Sequence, residues 1–168
     1  ADNDTLKLLD WSWNMISAAT GKQIGQALHE NRSLQVLKLG YNSLREAGTE
    51  AIGFALAFNS SLLTVDVSFN CATPKAAVVA ACAVRKRRGP PLQLIWDGNA
   101  IGSIGATAFL RTLSGSGCTS CRVSLKECST DSNAAPEVEQ QKSGGGGTTD
   151  AAGAAKAIGS ETADTAME

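Results

Sequence analysis

An α/β fold made of repeated strand–helix units is what this sequence predicts, and three observations carry the prediction. Asn14, Asn42, Asn70 and Asn99 are spaced 28, 28 and 29 positions apart. Around each Asn the apolar residues fall into columns: Leu9, Leu37, Val65 and Leu94 five before it, Trp11, Leu39, Val67 and Trp96 three before, and Ile16, Leu44, Ala72 and Ile101 two after. A second apolar pattern follows each Asn, this time at helical spacing. A fixed period of this length marks a chain whose units bury their apolar faces only against one another.

Each unit opens as a strand reading L-x-x-L-x-L-x-x-N-x-L, with Leu6, Leu34 and Leu62 leading the first three. The fourth begins at Pro91, behind the extra residue of Gly89-Pro90-Pro91. Proline is acceptable at the first residue of a strand. The helical halves place Ile24 with Leu28, Ile52 with Leu56, Ala80 with Val84 and Phe109 with Leu113, i, i+4 stripes that turn inward. Small residues between them, Gly25, Gly53 and Ala81 with Ala27, Ala55 and Ala83, allow close packing. The third helix carries its own signals: Thr73 as N-cap, Pro74 at the first helical position, and Gly89 as its stop. Ser120, Val123, Leu125 and Cys128 repeat the strand spacing 29 positions after Asn99 and predict a fifth strand. The Asn side chains are expected to satisfy backbone groups where the chain leaves each strand.

The columns resemble the leucine-rich repeats of the ribonuclease-inhibitor type, found also in NOD-like receptors and Ran GTPase-activating proteins. The resemblance covers about residues 6 to 128 and departs from the pattern at Pro91 and Ser120. It implies a curved right-handed solenoid, with a parallel sheet on the concave side and helices on the convex side. It also implies that Cys128 sits in a slot where the family accepts Asn or Cys. Asn3, Asn31 and Asn59 share the 28-residue period, so the sequence opens at the tail of a helix and reads as a fragment of a longer chain.

Residues 1–128 are therefore expected to hold about four units and a fifth strand, 129–149 a Gly/Ser-rich linker, and 150–168 an acidic Ala-rich tail. Residues 151–163 echo the helix pattern and leave open a degenerate capping helix. The chain has 168 residues, with 15 Lys and Arg against 16 Asp and Glu, a net charge of -1. Beyond Cys128 seven acids face two bases, which leaves +4 on the body and -5 on the tail. No stretch approaches the ~20 consecutive apolar residues of a membrane span. Five cysteines, an odd number, fit a reducing compartment better than a disulfide framework. The expectation is a soluble, cytoplasmic protein.

Functional residues are sought in the strand columns that face away from the helices. Directly before the Asn stand Trp13, Tyr41, Phe69, Gly98 and Glu127, three rings in adjacent units. They serve a partner interface, or they cover the strand-to-loop bend and stack on one another, or both. Four before the Asn come Asp10, Lys38 and Asp66, with opposite charges facing each other across strands as register support or for partner selectivity. Asp97 belongs to the column two before, with Ser12, Gly40, Ser68 and Lys126. The face thus grades from apolar to polar, as a binding surface with an anchor and a rim does.

Other chemistry finds little footing. The basic run Arg85-Lys86-Arg87-Arg88 ends a helix, where cations complement the dipole, and has no interleaved aromatics, so no nucleic acid is expected. Cys118 and Cys121 with Cys128 supply three thiols, but the single histidine, His29, lies on an outer helix, so neither a metal nor a cofactor is expected. Cys71 and Cys82 are read as buried small apolar residues. No nucleophile–base constellation or phosphate loop is present, so no enzyme and no small-molecule substrate is expected. The expectation is a module that binds a protein on its concave face. The resemblance also implies one alternative, a Ran-type GTPase activator; a structural part of a ciliary or cytoskeletal assembly is a third reading, which the sequence does not separate from the first.

Overall fold

The computed structural model describes residues 3–114 and 121–129. Five strands, β1 (Leu8–Asp10), β2 (Val36–Lys38), β3 (Thr64–Asp66), β4 (Gln93–Ile95) and β5 (Arg122–Ser124), alternate with four helices, α1 (Ala18–Glu30), α2 (Arg45–Ala55), α3 (Pro74–Lys86) and α4 (Gly102–Ser114). The strands form one parallel sheet in sequence order, an α/β arrangement of successive β-α units. Its register is the repeat itself, since Leu9, Leu37, Val65, Leu94 and Val123 form one row. Among the described residues no helix is long and apolar enough to cross a membrane. Apart from Ser129, the expected linker and tail lie outside the described residues, as does Cys118.

Strand side chains alternate between faces, and burial follows. Leu37, Val65 and Leu94 are buried, whereas Val36, Lys38, Thr64 and Asp66 beside them are half-exposed. The buried row joins Ile52, Leu56, Ala80, Val84, Phe109 and Leu113 from the helices in one core. Trp96 and Phe109 meet there as a tilted pair with centroids 5.7 Å apart.

Small residues bring the helices together at backbone contact. A Cβ on Gly21 would lie 2.7 Å from the Gly48 Cα, and one on Gly25 2.7 Å from the Ala51 carbonyl carbon. Gly105 meets Ala77 in the same way, at 2.8 Å.

The periodic asparagines tie each unit to the one before. Asn42 Oδ1 accepts from the backbone N–H groups of Asn14 (3.0 Å) and Ile16 (2.8 Å), while its Nδ2 donates to the carbonyls of Trp11 and Leu39. Asn99 repeats the pattern, accepting from Asn70 and Ala72 and donating to Val67 and Trp96. Cys128 keeps one part of it, its thiol donating to the Trp96 carbonyl at 3.3 Å. The expected backbone duty of the Asn column is therefore present.

A second ladder runs along the helix ends. Asn59 Nδ2 donates to the Leu28 and Asn31 carbonyls, and its Oδ1 accepts from the N–H groups of Ser61 and Leu62. Twenty-eight positions on, the same slot holds Arg87. Its guanidinium donates to the carbonyls of Leu56 and Asn59, the register equivalents of Leu28 and Asn31, and also to Leu62. Arg87 is buried, and burial lowers its pKa. The placing of all four basic residues at a helix end, there to complement its dipole, is thus corrected: Arg87 turns inward and donates to the carbonyls whose equivalents Asn59 serves one unit earlier.

Three further expectations are revised. Thr73 occupies the N-cap of α3 but makes no capping bond, because its hydroxyl donates to Glu46 Oε2 at 2.8 Å. The helix ends at Lys86, three residues before Gly89, and is closed by Arg87. Cys71 and Cys82 are exposed, Cys71 on the loop after the Asn and Cys82 on the outer side of α3.

Asn70 is fully buried and bonds Leu39, Ser68 and Leu44, so Asn70→Ala should cost about 2–4 kcal/mol in chemical denaturation by orphaning buried groups. Asn14→Ala, at an exposed position, should cost under about 1 kcal/mol. Arg87→Ala should destabilise by about 2 kcal/mol or more, and Arg85→Ala by less than about 0.5 kcal/mol. Equal effects at positions 85 and 87 would contradict the buried ladder.

Candidate functional site

The sheet places one residue per unit at the end of its strand, directly before the Asn slot. Its N–H donates to the carbonyl two before the next Asn slot: Trp13 to Gly40, Tyr41 to Ser68, Phe69 to Asp97 and Gly98 to Lys126, at 2.8–3.0 Å. The bend is left-handed throughout the column, with φ between 50° and 64° at Trp13, Tyr41, Phe69, Gly98 and Glu127. Such a conformation suits glycine and costs about 1–2 kcal/mol for other residues. Only the fourth unit has a glycine there.

The rings in this column stack. Trp13 and Tyr41 have centroids 3.7 Å apart and planes 8° from parallel; Tyr41 and Phe69 are 4.4 Å apart at 11°. Adjacent strands lie about 4.8 Å apart, so equivalent rings in a parallel sheet are brought almost to stacking distance by the backbone alone. Gly98 completes the column, since a Cβ there would lie 2.3 Å from Phe69 ring carbons. Phe69 therefore rests on the backbone of the next unit. A stacked pair contributes about 0.5–1.5 kcal/mol beyond its buried area, a size comparable to the backbone cost it offsets. Trp13 is 71% exposed and Tyr41 40% exposed, so much of the ring surface still faces water.

The charged residues expected beside the rings do two kinds of work. Asp10 Oδ1 and Asp66 Oδ1 accept from the N–H groups of Ser12 and Ser68, fixing the bend two residues on. Asp97 Oδ1 reaches across to the N–H of Lys126 in the next unit at 2.9 Å. Lys38 Nζ pairs with Asp10 Oδ2 at 3.5 Å between two exposed side chains. The Ser12 N–H, then its hydroxyl, and Lys38 hold the Asp10 carboxyl below the usual carboxylate range. The structure thus gathers Trp13, Tyr41 and Phe69 into one stack and sets Asp10, Lys38 and Asp66 side by side three residues before it in the chain. Asp97 stands beside Gly98 at the far end.

Around them the open sheet face runs from Leu8, 53% exposed, through half-exposed Val36 and Thr64 to exposed Gln93 and Arg122. The outer flank of the first unit is an apolar groove of about 360 Å³ lined by Leu6, Leu9, Trp11, Ile24, Leu28 and Leu37. Trp11 is 44% exposed there, against full burial of Trp96 in the equivalent position, so the inward column of the first unit is only partly covered.

The left-handed bend was missed from sequence, although one signal for it is present in Gly98 at the same column. Cys128 is a free, half-buried thiol whose pKa is pushed up by burial, with the Asp97 charge adding and the N–H groups of Asn99 and Gly98 opposing. Cys121 is disulfide-bonded. Among the described residues no group of three or more His, Cys, Asp or Glu is placed to hold a metal ion. His29 packs against Phe58 at 4.7 Å, on the helix side.

No protein-family model matches the chain, and no curated protein matches it significantly. In timed alkylation at pH 8 followed by peptide mass spectrometry, exposed Cys71 and Cys82 should be modified first, and Cys128 at least about tenfold more slowly because burial keeps it protonated. Equal rates would refute the assignment of Cys128 to a desolvated Asn slot.

Proposed function

We propose that the chain is part of a leucine-rich-repeat solenoid of the ribonuclease-inhibitor type and that it works as a protein-interaction module. Its partner is a protein, gripped on the concave sheet face that the helices leave open. Trp13, Tyr41 and Phe69 are the anchors, and Asp10, Lys38, Asp66 and Asp97 supply the polar surround that selects and orients the partner.

The observation that carries this reading is the exposed stack. Rings held in parallel by the backbone present a rigid apolar surface that loses little entropy on binding. Their mutual stacking only about offsets the strained bend beneath them, so fold stability alone is a weak reason for placing large rings there. The charges beside them are bonded to the backbone or to each other, a pre-organised arrangement that favours specificity over raw affinity.

The test is comparative. Interactors of the full-length protein are identified by affinity capture with the wild type and with a W13A/Y41A/F69A variant, and binding is then measured with the purified partner. A hot-spot role predicts a loss of about 2 kcal/mol or more, roughly thirtyfold in Kd, with far-UV circular dichroism unchanged. Undiminished binding by a folded variant would remove the aromatic column from the interface.

A further inference from the structure

Away from the open sheet face, the helix ends carry a second unassigned surface. Arg85 and Lys86 lie in the last turn of α3 and Arg111 in the last turn of α4, and Arg88 follows α3 directly. All four are exposed, and none makes an ion pair among the described residues. Two links hold them on one surface. Thr112 Oγ1 donates to the Ala81 carbonyl at 3.2 Å, joining the end of α4 to α3, and the buried Arg87 guanidinium pins the end of α3 to the carbonyls closing α2. Exposed Phe54 and Phe58, with ring centroids 5.2 Å apart, hold the positions one unit back from Cys82 and Lys86 in the 28-residue register. Helix dipoles account for a cation in each last turn but not for two exposed phenylalanines one unit back.

The complementary charge is on the same chain. Residues 130–168 carry seven acids, among them Glu137, Glu139 and Glu161, against Lys142 and Lys156, a net -5 facing the +4 of residues 1–128. The reach is adequate. The Ser129 carbonyl accepts from Gly102 N–H at the start of α4, and 13 helical residues span about 20 Å. The 39 residues that follow are enough chain to bridge that distance several times over, and a tether of this kind gives a local concentration on the order of millimolar.

We propose that the acidic segment 130–168 docks in cis on the basic ends of α3 and α4. Its carboxylates meet Arg85, Lys86, Arg88 and Arg111, while an apolar side chain such as Val138, set between Glu137 and Glu139, covers the Phe54–Phe58 pair. The contact is electrostatic in origin and weakens with salt. This surface is distinct from the aromatic stack, so the inference stands independently of the function proposed for that stack.

Zero-length carbodiimide cross-linking of the full chain, read by peptide mass spectrometry, tests the proposal through Lys86. At low ionic strength the tail carboxylates should couple to Lys86 at least about fivefold more than to exposed Lys7 or Lys22, and about 0.5 M salt should abolish that preference. An R85E/R88E/R111E variant, which keeps Lys86, should lose the preference while retaining its circular dichroism and melting temperature. The salt arm needs no variant, so a misfolded one would leave the test intact. Equal coupling to Lys7, Lys22 and Lys86 would overturn the proposal. So would cross-links found mainly between isotopically heavy and light chains in a mixture, since these would place the tail on a second copy.

Discussion

No unit of this chain can satisfy its own backbone. Each strand is three residues long, and beyond it the chain turns through a left-handed bend whose N–H and C=O groups have no helical or sheet partner within the unit. The side chain of the next asparagine meets that need. Asn42 serves Trp11, Asn14 and Ile16, and Asn99 serves Val67, Asn70 and Ala72. A buried amide left without partners costs about as much as several surface contacts contribute. Stability is therefore a property of neighbours in register, and the 28-residue period records that dependence in the sequence.

The same dependence explains which features were legible. Columns that must repeat because a neighbour uses them, such as Leu37 with Val65 or Asn70 with Asn99, stand out by spacing alone. Features that solve one unit's problem differently do not. Arg87 fills an asparagine slot with a residue of opposite surface habit, and its neighbours Arg85, Lys86 and Arg88 make it look like part of a solvated run. Helix starts alternate in a way no spacing shows: left-handed residues fall one after the Asn at Met15 and Cys71, but three after it at Arg45 and Gly102.

The candidate site was legible in outline because its residues share a column. Trp13, Tyr41 and Phe69 could be placed in adjacent units from their numbers, and parallel register then requires their rings to approach. Their conformation could not be read in the same way. A positive φ under an aromatic residue goes with a bond to the next unit, such as Tyr41 N–H to Ser68 O, and local propensity opposes it. Gly98 shows how the two demands meet: it relieves the backbone at its own unit and leaves room for the ring of the previous one.

Trp11 and Trp96 provide an internal control for the idea that burial here comes from the neighbour and not from the residue. They are the same residue in the same column, three before their asparagines, yet Trp96 is wholly buried and Trp11 is 44% exposed. Trp96 has the third unit on one side and the fifth strand on the other, while Trp11 is covered on one side alone. Hydrophobic burial amounts to roughly 25 cal/mol per Å², so the difference across one indole is worth more than any single hydrogen bond in the ladder. Asn14 and Asn42 show the polar counterpart, the first exposed and the second buried with both halves of its amide engaged. A unit at one flank of the sheet is thus inherently less stable than one between two neighbours. The same flank carries Trp13, the most exposed ring of the stack, at 71%.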